Sequence, residues 1–229
     1  IALKYPGSIP SEEKEGMLEN FSFKADQIPI VAKEIIVKQF DDSAIDWRDE
    51  NSIEIIGTLG ADLIDGKVVV IDYPNKKLTL SEIIPENLMR EVLLSDFIYS
   101  HRKVLLPAKV NDKETILYFD TGSSMFELLT DEKTSKLLAA PNAKPMQYQV
   151  KSWDRFLTAN TLVSNSSIEI ASVSIPISSS TYMEGVSSSQ VEQMSKMGIG
   201  GMTGNKLFIN YVLVLDTKNN KFGLIPSFK

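Results

Sequence analysis

The chain has 229 residues, of which 43% are hydrophobic and 24% charged, a composition that fits globular domains and excludes a fibre or a disordered chain. Its net charge of −6 and pI near 5.0 argue against nucleic acid or an anionic membrane as the main partner, since both favour a clustered basic surface. No apolar run approaches the ~20 residues that span a bilayer, so no integral membrane segment is predicted. The absence of Cys and the single His101 leave no basis for disulfides, thiolate chemistry or a multi-histidine metal site. We expect no metal and no other cofactor.

Short β-rich runs dominate the first 84 residues. Residues 11–20 are polar and acidic and favour a surface loop or short helix, whereas residues 21–23, 28–31 and 35–40 favour strands interrupted by Pro29. Residues 68–71 form a continuous apolar run, which is typical of a strand buried on both faces. This run is predicted to form a hairpin with residues 77–80.

The central segment is predicted to connect two halves of the chain. Residues 85–97 carry apolar side chains at helical spacing, with Pro85 in the first turn, which predicts an amphipathic helix. A hairpin of residues 103–110 and 114–119 should follow.

The remaining elements are predicted from the same patterns. We expect a helix at 127–139, a hairpin of 148–152 and 155–163 turning at Trp153, and paired strands at 167–170 and 173–177. A polar loop at 179–189 should lead into a short helix at 190–196.

One short motif carries chemistry. The apolar strand 116–119 delivers Asp120 directly into a turn made by Thr121, Gly122 and Ser123. Removing a carboxylate from water costs free energy, so a neighbouring group must hold its charge or share its proton. Gly122 permits a tight turn, and the two hydroxyls can donate hydrogen bonds. The alternative is an ordinary surface turn, which these residue types also favour.

An internal repeat supports the chemical interpretation. Residues 57–80 align without a gap on residues 201–224 at a constant offset of 144, with nine identities in 24 positions. The identities include Gly57 with Gly201 and Gly60 with Gly204, and the predicted hairpins coincide. We call these segments the first and second copies. Duplication explains them better than coincidence.

The Asp120 motif and the repeat resemble the aspartic peptidases, pepsin-like and retropepsin-like, in which each of two related lobes or subunits donates one Asp-Thr/Ser-Gly turn. The resemblance implies a mostly β, two-lobed, acid-protease-like β-barrel fold with an internal pseudo-two-fold and a few short helices. It also implies three parts: residues 1–84 as the remainder of an N-terminal lobe, 85–102 as a helical linker, and 103–229 as a complete C-terminal lobe.

The resemblance also implies residue roles. Asp120 would be one catalytic carboxylate, Thr121 would brace the paired turns, and Ser123 would hydrogen-bond the outer carboxylate oxygen. The glycines of the two copies, Gly57, Gly60, Gly201 and Gly204, would be structural, because a segment that includes residues 197–204 passes closely beneath the turn. Asp62 would likewise be structural.

The second catalytic turn is missing from the sequence. Gly201 follows Asp120 by 81 residues, so the turn matching Gly57 is expected about 24 positions before Ile1. Asp26 is the nearest candidate and has no glycine turn. The second carboxylate therefore precedes Ile1, was never acidic, or comes from another chain in a homodimer.

The sequence leaves three functions open. The leading one is an aspartic endopeptidase acting on peptide or protein substrates, with neither metal nor organic cofactor. The alternatives are a catalytically inactive peptide-binding protein of the same fold and an extracellular carbohydrate-binding or scaffold β-protein. The lack of Cys suits a secreted or bacterial periplasmic or envelope protein, and equally a cytosolic one.

Two hairpins are expected to cover a substrate cleft. By analogy with the flap of the family, they fall at residues 21–35 and 147–157, with Trp153 at the tip of the second. An exposed Trp is unfavourable without a partner surface. Trp153 should therefore either pack against its own lobe, which the sequence favours, or bind substrate.

Overall fold

The structure is a computed structural model that describes residues 15–25, 28–38, 60–152, 155–186, 192, 194 and 196–227. Strands account for 53% of it, which confirms the mostly β prediction, and the described residues form no closed barrel. Among them, no helix has the length and apolar character that crossing a bilayer requires. The chain divides after Leu63 into two compact units.

The first unit contains one long antiparallel hairpin, made of β1 (Glu15–Ala25) and β2 (Ile28–Lys38). The hairpin lies where a cleft cover was predicted. Its first strand begins inside the segment 11–20, so the loop or helix prediction is wrong for residues 15–20. Pro29 lies within β2 opposite Lys24 rather than interrupting it. Each strand of a two-stranded sheet is an edge strand, where the missing N–H of proline is tolerated.

The larger sheet of the second unit has ten strands, in the order β10-β11-β14-β9-β15-β8-β7-β12-β13 with β6 paired to β7. Three predicted hairpins, β7–β8, β10–β11 and β12–β13, are confirmed. The strands are β6 (Ile98–Ser100), β7 (Lys103–Val110), β8 (Lys113–Phe119), β9 (Leu129–Thr130), β10 (Met146–Ser152), β11 (Arg155–Val163), β12 (Ser167–Ile170), β13 (Val173–Pro176), β14 (Ser179–Glu184) and β15 (Ile199–Thr203).

The smaller sheet of this unit has five strands and contains the hairpins of both copies. Its order is β4-β3-β16-β17-β5. The strands are β3 (Val68–Asp72), β4 (Lys77–Ser81), β5 (Ser95–Asp96), β16 (Tyr211–Asp216) and β17 (Lys221–Pro226).

The pairing of β3 with β16 relates the two copies by a local two-fold axis. Val70 lies opposite Val214, which is its own repeat mate at the offset of 144. Asp72 pairs with Val212, and their mates, Asp216 and Val68, pair with each other. Exchanging the copies therefore leaves the register unchanged. This is the signature of an antiparallel pair with a two-fold axis at its centre.

Other local features recur at the same offset. The 3₁₀ turn Ala61–Ile64 corresponds to the 3₁₀ turn Asn205–Phe208. Lys76 and Asn220 have the same left-handed backbone, with φ of 53° and 54°. The repeat prediction is therefore confirmed for the two hairpins, and the matching 3₁₀ turns are a further likeness between the copies. Gly57 lies outside the described residues.

The main core of the second unit lies between its two sheets. Val69, Leu213 and Leu215 of the smaller sheet join Leu106 and Leu117 of the larger one in one buried cluster. The alternate side chains of the smaller sheet, including Val68, Val70 and Val214, form a second cluster on its other face with Ile84 and Val92. The prediction that residues 68–71 are buried on both faces is confirmed for Val68, Val69 and Val70, and Ile71 is partly buried.

The predicted helix 85–97 is mostly wrong. Helix α1 spans only Glu86–Met89, and β5 and β6 follow it, so a helical linker over 85–102 is also wrong. The reason is tertiary packing against Gly223. A Cβ on Gly223 would lie 2.5 Å from the Leu93 carbonyl oxygen and closer still to Val92. The chain leaves the helix to cross this glycine closely before pairing with β17.

Two predictions in the second half fail for reasons of hydrogen bonding. Helix α2 spans Glu132–Leu138 rather than 127–139, because Asp131 caps it by accepting from the Thr134 N–H at 2.9 Å. The polar loop predicted at 179–189 begins as strand β14. Its buried hydroxyls have hydrogen-bond partners. The Ser180 Oγ lies 2.9 Å from the Ser135 Oγ, and the Thr181 Oγ1 lies 2.8 Å from the Thr161 Oγ1.

The division into units differs from the predicted parts. Residues 64–84 belong with the C-terminal unit, whereas the sequence assigned 1–84 to an N-terminal lobe. The pairing of β3 with β16 explains the difference, because it joins the first copy's hairpin to the second copy's sheet.

The matched turn residues Asp72 and Asp216 should contribute unequally to stability. Asp72 accepts two hydrogen bonds from Asn75 and is partly exposed, whereas Asp216 is 6% exposed and accepts from Lys218 and twice from Asn219. We expect Asp216→Ala to lower the free energy of unfolding by about 2–3 kcal/mol and Asp72→Ala by about 1 kcal/mol. Urea denaturation of both variants measures this, and equal losses would contradict it.

Candidate active-site turn

The Asp120 turn is placed by the insertion of β15 between two strands that flank it. β15 pairs in parallel with β8, which ends at Phe119, and antiparallel with β9, which follows the turn. The Asp120 N–H donates to the Thr203 carbonyl at 2.9 Å, which extends the β8–β15 ladder by one step. The glycine-rich strand β15 therefore passes directly against the Asp120 turn.

Glycine is required in this segment by backbone contact. A Cβ on Gly204 would lie 2.7 Å from the Ser123 carbonyl carbon and 2.9 Å from the Asp120 carbonyl oxygen, and closer still to the Ser123 oxygen. A Cβ on Gly201 would lie 2.6 Å from the Leu129 oxygen. By contrast, a Cβ on Gly60 would meet only the Asp62 carboxylate, at 2.7 Å. The side chain of Asp62 is exposed and can move away.

The Asp120 carboxylate is held at one oxygen. Its Oδ1 accepts from the Gly122 N–H at 2.8 Å, while the Ser123 N–H donates to the Asp120 carbonyl at 2.9 Å. Its Oδ2 accepts no hydrogen bond from any residue that the structure describes. Burial and the neighbouring charge of Asp120 raise the pKa of the Tyr118 hydroxyl. A half-buried carboxylate with one fixed and one available oxygen can exchange a proton with a bound molecule.

The Ser123 hydroxyl of the motif does not make the hydrogen bond that was expected of it. The Ser123 hydroxyl does not donate to Asp120, and within the described part of the chain neither the Ser123 nor the Thr121 hydroxyl has a hydrogen-bond partner. Ser123 contributes through its backbone N–H instead. The bracing role of Thr121 needs a second turn and stays a prediction.

Asn205 contacts the turn and was missed by the sequence interpretation. Its Nδ2 donates to the Thr121 carbonyl at 3.1 Å and to the Ser124 hydroxyl at 2.6 Å, and its Oδ1 accepts from the Tyr73 hydroxyl at 2.6 Å. The sequence feature that could have indicated this contact is the position of a polar residue directly after Gly204. The repeat concealed it, because its mate in the first copy is Ala61.

Glu127 was also missed, because it was assigned to a helix. Its carboxylate accepts from the N–H groups of Ser178 and Ser179, both at 2.8 Å, and its carbonyl accepts from the Thr203 hydroxyl at 2.8 Å. Glu127 thereby fixes the chain between Asp120 and β9 to the start of β14. No pattern in the sequence indicates this contact.

The other residues that the sequence singled out are not part of the Asp120 turn or are not described by the structure. Trp153, Asp26 and Gly57 lie outside the described residues, although the hairpin β10–β11 that flanks Trp153 is formed. His101 is an exposed turn residue, as expected. Within the described ranges, no three His, Cys, Asp or Glu side chains form a group that could hold a metal ion.

Comparison with known proteins adds no assignment. No protein-family model matches the chain, and no curated protein matches it. The function must therefore be argued from the geometry of the Asp120 turn and from the repeat.

Gly204→Ala should destabilise the turn strongly. The added Cβ meets backbone atoms of residues that cannot move without breaking the β8–β15 ladder, so we expect a loss of about 2–3 kcal/mol in the free energy of unfolding. Gly60→Ala is the matched control, since its Cβ meets only a mobile carboxylate and should cost about 1 kcal/mol or less. Urea denaturation compares the two, and a Gly204→Ala protein as stable as Gly60→Ala would refute the close contact.

Proposed function

We propose that this chain is an aspartic-type endopeptidase in which Asp120 is one of two catalytic carboxylates. The observation that carries the proposal is the turn itself: an Asp-Thr-Gly backbone locked against Gly204, with Oδ1 held by Gly122 and Oδ2 available. The two-fold relation between the hairpins of the copies supports it, because the mechanism needs two related turns. The mostly β architecture agrees with a two-lobed acid-protease-like fold.

The proposed mechanism needs a second carboxylate a few ångströms from Asp120. Two carboxylates at that distance share one proton, because both cannot ionise favourably. The ionised group takes a proton from a bridging water as the water attacks the peptide carbonyl. The protonated group donates to the carbonyl oxygen and stabilises the tetrahedral intermediate. No metal or organic cofactor takes part in this scheme.

The second carboxylate would come from a turn that precedes the first copy as Asp120 precedes the second, or from a second chain in a homodimer. The repeat offset assigns the first alternative to a position about 24 residues before Ile1. Reading the ~30 residues encoded there distinguishes the alternatives, since an Asp-Thr/Ser-Gly turn at that place supports the two-lobed enzyme.

The second candidate function is a peptide-binding protein that has the cleft without catalysis. It is favoured by the sequence between Ile1 and Lys229, which contains a single Asp-Thr-Gly and no Asp-Ser-Gly. A fold can retain its binding surface after losing one acid. In both functions the hairpin β10–β11 is a proposed cover of the cleft.

Asp120→Asn should abolish turnover without unfolding the protein. The change is isosteric, and the amide oxygen can still accept from Gly122, but the amide cannot exchange a proton with water. We expect kcat on an unfolded protein substrate to fall by about 10²–10⁴-fold. Circular dichroism and thermal unfolding provide the control for folding. A folded variant with undiminished kcat would refute the role of Asp120, whereas peptide binding by both proteins without turnover would support the binding protein.

Trp153 offers a test of the proposed cover. If the hairpin β10–β11 closes over substrate, the fluorescence of Trp153 should change when a non-cleavable peptide is titrated into a Trp47→Phe protein, because an indole that leaves water changes its emission. An unchanged spectrum at saturating peptide would exclude the cleft role and leave Trp153 as a packing residue. Asp120→Asn in the same background should give the same response.

A further inference from the structure

One peptide group joins Asn205 to the Asp120 carboxylate. The Thr121 carbonyl that accepts from Asn205 Nδ2 and the Gly122 N–H that donates to Asp120 Oδ1 belong to the same planar unit. Rotating this unit to release one bond must also release the other. A donor on the carbonyl oxygen also polarises the N–H at the opposite side and strengthens its bond to the carboxylate.

Tyr73 fixes the orientation of the Asn205 amide. An amide side chain could rotate to exchange its oxygen and nitrogen, but the Tyr73 hydroxyl donates at 2.6 Å and requires the oxygen on its side. The Nδ2 donors are then directed at the turn. Burial raises the pKa of the Tyr73 hydroxyl well above its usual range, so it remains a donor through neutral pH.

The Tyr73 ring is itself anchored beneath the turn. It stacks on Phe208 with ring centres 6.5 Å apart, and Phe208 packs edge-to-face on Phe119 at 5.5 Å. Phe119 is the residue before Asp120. Because Tyr73 belongs to the hairpin of the first copy, that copy reaches the Asp120 turn by two routes, one aromatic through Phe208 and Phe119 and one hydrogen-bonded through Asn205.

From this arrangement we propose that Asn205, oriented by Tyr73, is a positioning residue of the Asp120 carboxylate. Its Nδ2 donates both to the Thr121 carbonyl and to the Ser124 hydroxyl, which itself donates to the same carbonyl. The catalytic importance of Asn205 rests on the proposed peptidase function. Asn205 contacts neither the carboxylate nor any reacting atom. It acts through the Thr121–Gly122 peptide, and its loss should affect the geometry of the acid more than the binding of substrate.

Three variants of the full chain test the proposal. Asn205→Asp keeps the shape and an acceptor for Tyr73 but removes the Nδ2 donors. Tyr73→Phe keeps the ring contacts and removes the hydroxyl that orients the amide. Lys206→Ala is the control, since Lys206 lies on the same 3₁₀ turn and makes no hydrogen bond or ion pair with any residue that the structure describes.

The first measurement is kinetic and assumes the peptidase. Asn205→Asp should lower kcat by about tenfold to a hundredfold with little change in KM, because a small misplacement of a catalytic group has that effect. Tyr73→Phe should give a smaller loss in the same direction, and Lys206→Ala none. A rise in KM at constant kcat for Asn205→Asp would overturn the positioning role.

The second measurement does not depend on catalysis. Amide hydrogen exchange of Gly122, followed by NMR, reports its bond to Asp120 directly. Asn205→Asp should accelerate this exchange about tenfold or more, as expected for the loss of a hydrogen bond to a charged group. Unchanged Gly122 exchange in both folded variants would overturn the proposal. If the wild-type chain shows no turnover, the peptidase function fails, while Gly122 exchange still decides the role of Asn205.

Discussion

The arrangement of the site depends on the close approach of two backbones, that of Gly204 and that of the Asp120 turn. The approach is possible because β15 enters the sheet between β8 and β9, parallel to one and antiparallel to the other. The strand that precedes the turn and the one that follows it are thereby held apart by a third. Asp120 lies at the end of this three-stranded arrangement, where hydrogen bonds to Thr203 and Ser123 and the close approach of Gly204 restrain its backbone.

The residues around the turn reinforce this constraint from different directions. Glu127 ties the chain after the turn to β14, and Asn205 holds the peptide that positions the carboxylate. Both use fully engaged polar side chains, which are costly to leave unpaired in a partly buried site. The contacts come from segments distant in sequence, so the geometry of the carboxylate is a property of the whole second unit.

The sequence predicted the periodic and repeated parts of this structure well. Alternation and turn residues located the hairpins β7–β8, β10–β11 and β12–β13, and the offset of 144 located the paired copies. Helix α2 begins later than predicted because Asp131 caps it locally, whereas other failures arise because tertiary contact overrode local pattern. Residues 90–94 have helical spacing but pack over Gly223, and β14 is polar but finds buried hydroxyl partners. Asn205 and Glu127 were missed because their importance lies in partners that no local pattern specifies.

The register of β3 against β16 also has a consequence for the order of folding. The central pair, Val70 with Val214, closes a loop of 144 residues, so the two strands meet only after the chain has been synthesised through β16. Until then β4 is the neighbour of β3 in the sheet, and Val68, Val69 and Val70 lack the packing partners that β16 supplies. A nascent chain stalled before residue 211 would present this exposed strand to other copies.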